Sequence, residues 1–213
     1  MVKRIKTKSA FTLAEVLIAL VIIGVIAALT ISTAINKMQR EELRSQFKKA
    51  FGVISQTVQK MKVDYGNIIF NSTQDSASDF RNKFMKYFSV VCKDNCMDNS
   101  KYKNHANKNN DPEMQGHLRN CFTVHDGMIF CFSKGATSGT IYIDVDINGD
   151  KNPNRWGYDV FTFYISNENQ SLMPSSDGVP YFAFVCNNTA SDFNGPSCSV
   201  KAISDTNYFK KLP

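Results

Sequence analysis

Residues Phe11–Ile31 read FTLAEVLIALVIIGVIAALTI. As a helix, this run rises roughly 31 Å, about the thickness of a bilayer's hydrocarbon core. Lys3, Arg4, Lys6 and Lys8 precede it, with no acid among them. Positive charge on that flank holds the first residues in the cytoplasm and sends the rest outward. Glu15 is the run's only charged side chain. A charge at mid-bilayer costs on the order of 2–3 kcal/mol, less near an end, so this one calls for a partner. A cut before Phe11 would create an α-amino group four residues from Glu15. One chain's carboxylate would then neutralise the amino terminus of another.

The stretch Lys8-Ser-Ala-Phe-Thr-Leu-Ala-Glu-Val-Leu-Ile18 resembles the cleavage and methylation signature of type IV prepilins and type II secretion pseudopilins. The resemblance implies a prepilin peptidase that cuts between Ala10 and Phe11 and methylates the Phe11 amine. It implies that Glu15, fifth in the processed chain, docks subunits. The implied partners are other pilin or pseudopilin subunits, in a homo- or hetero-filament, and an inner-membrane assembly platform. The implied location is the bacterial cytoplasmic membrane, crossed once with the N-terminus inside, and then an extracytoplasmic filament. The family usually carries glycine before the cut, where this chain has Ala10. The likeness covers roughly the first fifty residues closely and says less about the remainder.

Two other readings compete. A secretory signal peptide would fit the basic flank and the apolar run, with Ser32-Thr33-Ala34 as its cleavage site. A membrane-anchored or secreted calcium- or ligand-binding domain would have no filament role. The run is longer than a usual signal-peptide core and contains a glutamate, which opposes the first reading.

Beyond Ile31 the chain turns polar but keeps a helical period. Leu43, Phe47, Phe51, Ile54, Val58 and Met61 recur at spacings of three and four, with charged residues between them. No proline interrupts Phe11 to Lys62. A helix of about 50 residues, roughly 75 Å, follows. Its first half is apolar all round and its second half amphipathic, the floor for a head domain. Asp64-Tyr65-Gly66-Asn67 ends it. The organisation is therefore a leader over 1–10, a transmembrane half-helix over 11–31, an amphipathic half over 32–64 and an exported head over 65–213.

The head reads as a small antiparallel sheet, so the fold class is α+β. Asp79 to Val91 predicts a short helix with Phe80, Phe84 and Phe88 on one face. Cys92 to Gln115 is rich in Asn and Lys and reads as a surface loop pinned by its cysteines. Cys121 to Cys131 predicts a hairpin turning at Asp126-Gly127. Thr140 to Val145, Tyr158 to Ile165 and Tyr181 to Cys186 predict further strands.

Six cysteines, Cys92, Cys96, Cys121, Cys131, Cys186 and Cys198, all lie beyond the apolar run. An even count in an exported domain predicts disulfides. A two-residue turn would send Cys121 and Cys131 to opposite faces. Without a bulge, Cys121 is expected to pair with Cys92 or Cys96. Cys186 and Cys198 are expected to close a C-terminal loop.

Asp144-Val-Asp146-Ile-Asn148-Gly149-Asp150 matches the opening of a calcium loop, where alternate oxygens converge and glycine permits the bend. The expected ligands are Asp144, Asp146, Asn148, Asp150 and Asp159. Arg155 stands where such a loop carries its closing glutamate. Some secretion pseudopilins hold calcium in head-domain loops, so the family resemblance favours this reading. The stretch from Asn148 to Phe161 also resembles a recurrent head-domain segment of pilin-like proteins. The alternative is a hydrogen-bonded turn, because Asp, Asn and Gly favour turns.

The formal charge of +6 falls to +2 without the four basic residues of the leader, so it marks topology and gives no nucleic-acid footprint. His105, His117 and His125 show no catalytic spacing, and zinc on Cys92, Cys96 and His105 is disfavoured in an exported domain. No phosphate loop and no nucleophile elbow are present, so no catalysis is expected. Asn71-Ser-Thr and Asn187-Asn-Thr fit the N-glycosylation sequon, a short pattern that recurs by chance.

Overall fold

The structure is a computed structural model describing residues 12–66, 68, 77–106, 116–135, 140–165, 170–178, 184–189 and 193–212. Ala10 and Phe11, the expected cleavage site, lie outside the described residues. The chain divides into two compact units, Met1–Gln39 and Arg40–Pro213. Helix α1, Leu13–Tyr65, begins in the first and ends in the second.

The described part of the first unit is helix alone. Its large apolar side chains, Leu13 through Met38, are exposed. Thr30 and Thr33 return their hydroxyls to the carbonyls of Ile26 and Leu29 at 2.9 and 3.1 Å, which removes two donors from an apolar surface.

The second unit is an α+β head. Its elements are the C-terminal part of α1, then α2 (Ala77–Met85), β1 (Val90–Cys92), β2 (Phe122–Val124), β3 (Ile129–Lys134), β4 (Ile141–Asp146), β5 (Val160–Ile165), β6 (Leu172–Pro174) and α3 (Cys198–Ser204). The six strands form one antiparallel meander in sequence order. One sheet face carries Phe122, Phe130, Phe132, Ile143, Val145, Phe161 and Phe163 in register. The predicted stripe of α1 packs there: Phe47, Ile54, Val58 and Met61 are buried in the same core. Phe47 meets Phe161, Phe209 and Phe163 with ring centres 4.5, 5.6 and 6.1 Å apart.

Strands open to water on one face alternate buried and exposed residues. Here all six residues of β4 are buried, so the other face is covered too. Its cover is loop: Tyr102, Leu118, Trp156 and Phe193 pack on Ile129, Cys131 and Val160. The segment after Cys92 thus departs from the expected surface loop. Tyr102, Asn104 and His105 are buried. Lys103 exchanges backbone hydrogen bonds with the 154–156 segment, donating to the Asn154 carbonyl at 2.9 Å and accepting from Trp156 at 3.0 Å. The polar composition misled because this run is held by backbone pairing, with one ring and two polar side chains turned inward. Residues 107–115 lie outside the described residues.

Other expectations shift in detail. The helix expected over 79–91 stops at Met85, and Val90–Cys92 joins the sheet edge. β-branched Val90 and Val91 suit a strand better than a helix end. Among the described residues the last strand is β6, at the sheet edge, where the missing N–H of Pro174 is tolerated. Of the strand expected over Tyr181–Cys186, residues 181–183 lie outside the described residues, and Val185 makes an isolated bridge to Asn194.

The disulfides are Cys92–Cys96, Cys121–Cys131 and Cys186–Cys198. The expectation that Cys121 would reach Cys92 or Cys96 is corrected. The hairpin register is Phe122↔Phe130 and Thr123↔Ile129, which sets Cys121 opposite Cys131. The Val124 N–H reaches the Met128 carbonyl at 3.0 Å, so the connection is His125-Asp126-Gly127, three residues instead of two. One added residue turns every side chain to the other face. Gly127, at φ 91°, supplies the left-handed step that such a loop needs.

Candidate functional site

The start of α1 is the first candidate. Glu15 accepts hydrogen bonds from the Thr12 backbone N–H at 2.8 Å and from the Thr12 hydroxyl at 2.9 Å. The Glu15 N–H returns one to the Thr12 oxygen at 3.3 Å. This is a reciprocal capping box, Thr12-Leu-Ala-Glu15, closing the helix's open N-terminal donors. The sequence reading gave Glu15 a role and missed Thr12. The signal was present: threonine three residues before glutamate at a helix start.

Residues Leu13 onward form the one helix, among those described, that is long and apolar enough to cross a membrane, with a mean hydropathy of 2.7 over its best window. None of that window is buried within the chain. Residues 5–31 match the model for the prokaryotic N-terminal methylation motif. The chain carries the type IV pilin and pseudopilin signature. Over those residues the motif supports a type IV pilin-like precursor. No curated protein and no solved structure gives a significant match. The methylation motif covers the N-terminal stretch, so the head is read from its own geometry.

The acidic turn of the head is the second candidate. Asp144 and Asp146 sit on the outer face of β4, opposite Thr162 and Val160 of β5. Asp144 accepts from the Thr162 hydroxyl at 2.7 Å. Burial pushes its carboxyl up to about 8. Asp146 accepts from the N–H groups of Asn148 and Gly149 at 3.1 and 2.8 Å and from the Tyr102 hydroxyl at 2.6 Å. Asp159 accepts from the N–H groups of Asn154 and Arg155 at 2.8 and 2.6 Å. Burial, and after it the nearby charge of Asp159, raises Asp146 well above the usual carboxylate range. Burial lifts Asp159 to about 7, against the pull of its N–H donors.

Of the five expected calcium ligands, Asp146 and Asp159 are therefore brought together, with Asn148 beside Asp159. Asp150 turns outward to Lys101 at 3.6 Å. Asp144 is held by Thr162. The loop does not gather its oxygens as the Asp-x-Asp-x-Asn-Gly pattern implied. Residue 155 contributes through its backbone, and its guanidinium goes instead to the His105 carbonyl, with Nε 2.9 Å away. Two amide oxygens, Oδ1 of Asn148 and of Asn154, are buried and have no hydrogen-bond donor among the described residues. Asn154 was absent from the expected set. Its sequence neighbour Pro153 marked the turn, and the inward placement depended on the 102–105 segment, whose pairing is non-local.

His105 groups with Cys186 and Cys198, and the expected set with Cys92 and Cys96 is not among the clusters of the described residues. The His105 ring nitrogen falls within 4.8 Å of the Cys186 and Cys198 sulfurs. Those sulfurs are joined to each other, so neither is a thiolate ligand. Nδ1 of His105 is 3.1 Å from the Trp156 carbonyl.

Proposed function

We propose that this chain is a structural subunit of a type IV pilus or type II secretion pseudopilus. Its N-terminus starts in the cytoplasm, ahead of a single crossing of the bacterial inner membrane. A prepilin peptidase cuts between Ala10 and Phe11 and methylates the new amine. The Phe11 amine of one subunit pairs with Glu15 of another, which sets register at the assembly platform. The apolar helices then pack as a filament core, and the heads face outward. The observation that carries this reading is one carboxylate at the head of a wholly exposed apolar helix, inside the methylation motif. Stripped of a partner, that helix surface has no reason to be apolar in water. The test is Glu15→Ala in the native cell. Leader removal proceeds and filaments do not form. Normal filaments from that variant overturn the proposal.

For the acidic turn we propose a cation site smaller than the calcium loop first read: Asp146 and Asp159, with the amide oxygens of Asn148 and Asn154. The two donorless buried oxygens beside two buried carboxylates favour it. Calcium supplies there the positive charge that two neighbouring carboxylates lack. Thermal melts in calcium and in chelator test it. A higher Tm in calcium, lost in Asp159→Asn, supports the site. Identical melts leave a turn held by hydrogen bonds alone.

A further inference from the structure

The loop closed by Cys186–Cys198 contains Asn187-Asn188-Thr189, an Asn-x-Thr sequon exposed at all three residues. Its geometry exceeds what a chance match requires. The Asn187 side-chain oxygen accepts from the Thr189 hydroxyl at 2.6 Å and from the Thr189 N–H at 3.0 Å, and Nδ2 of Asn194 lies 3.1 Å from it. A backbone N–H only donates, so the atom facing it is the oxygen, and the carboxamide nitrogen faces the other way. Among the described residues that nitrogen meets no acceptor.

Asn194 holds the arrangement. It is fully buried, and its Nδ2 donates to the carbonyls of Asn187 and Thr189 at 2.8 and 2.7 Å. Its own side-chain oxygen accepts the Asn187 N–H at 3.2 Å. The loop is fixed below by the Val185–Asn194 bridge and by the Lys201 ammonium on the Cys186 carbonyl at 2.6 Å.

An amide nitrogen is a poor nucleophile because its lone pair is shared with the carbonyl. Donors on the oxygen stabilise the charge that gathers there as an N–H proton leaves. Two converging donors from Thr189 on Oδ1 and an open Nδ2 form an acceptor prepared for attack on an electrophilic carbon.

We propose that Asn187 is an N-glycosylation site, with Thr189 and Asn194 as positioning residues. The co-substrate is a saccharide joined through its anomeric carbon to a phosphate leaving group on a lipid carrier, used by a membrane glycosyltransferase. The Nδ2–C1 bond forms and the C1–O bond breaks. The bonding electron pair leaves with the phosphate, and one Nδ2 proton passes to a base of the transferase. Export of the head is required, and filament assembly is not, so failure of one reading does not carry the other with it.

The test is mass mapping of the peptide spanning Asn187 in the chain purified from its native cell, with formation of Cys186–Cys198 as the folding check. The wild-type peptide carries a saccharide mass on Asn187, and Asn187→Gln abolishes it. Thr189→Ser retains it, whereas Thr189→Ala lowers occupancy about tenfold through the lost hydroxyl contact. A wild-type peptide wholly unmodified at Asn187 overturns the proposal. So does Thr189→Ala modified as fully as wild type.

Discussion

Replacing Phe47 with alanine tests whether the second half of α1 is the floor of the head. Phe47 is 2% exposed and touches three rings, Phe161 and Phe163 of β5 and Phe209 near the C-terminus. Truncation removes the transfer free energy of the ring and leaves a cavity between helix and sheet. Such changes cost about 3–5 kcal/mol. In a head of this size each kcal/mol shifts Tm by roughly 2–4 °C, so the melt falls by about 10 °C. Near-ultraviolet circular dichroism of the detergent-solubilised chain follows it. Val63→Ala, on the same helix at a residue 86% exposed, is the control and moves stability by less than about 0.5 kcal/mol. If Phe47→Ala behaved like Val63→Ala, the packing of α1 on the sheet would be refuted.

Two further changes probe the head. Gly149→Ala sets a Cβ 2.5 Å from the Gly127 carbonyl oxygen at φ 67°, whereas Gly178→Ala, at φ 76°, meets open space. Denaturant titration therefore finds a loss of about 1 kcal/mol for Gly178→Ala, from backbone strain alone, and at least about twice that for Gly149→Ala. His117 is buried, and desolvation, with Arg119 beside it, lowers its pKa to about 4. The unfolded chain binds that proton near pH 6.5, so the contribution is complete above 6.5 and fades as pH falls towards 4. Relative to wild type, His117→Phe loses about 2 kcal/mol less stability between pH 7 and 4.5. Parallel curves for the two proteins would show that the histidine does not titrate this way.

The elements legible in sequence were those set by local period. Phe47, Ile54, Val58 and Met61 announced the buried face of α1, and the alternation of Thr140–Val145 announced β4. What stayed hidden depended on non-local pairing. A single extra residue in the His125-Asp126-Gly127 turn reversed which way Cys121 and Cys131 face. The 102–105 segment looked like solvated loop because its partner, 154–156, lies some fifty residues away along the chain. The acidic turn was half legible. Its aspartates were visible, but Tyr102 and the backbone donors that occupy them were not.

The central claim is that Phe11–Ile31 is an assembly helix with a processed end, beyond a plain anchor. Intact mass of the chain taken from the native membrane tests it most directly. The account predicts a chain that begins with N-methylated Phe11, shorter by the ten residues of the leader. A chain that begins at Met1, or one cut after Ala34 and freed from the membrane, would contradict it.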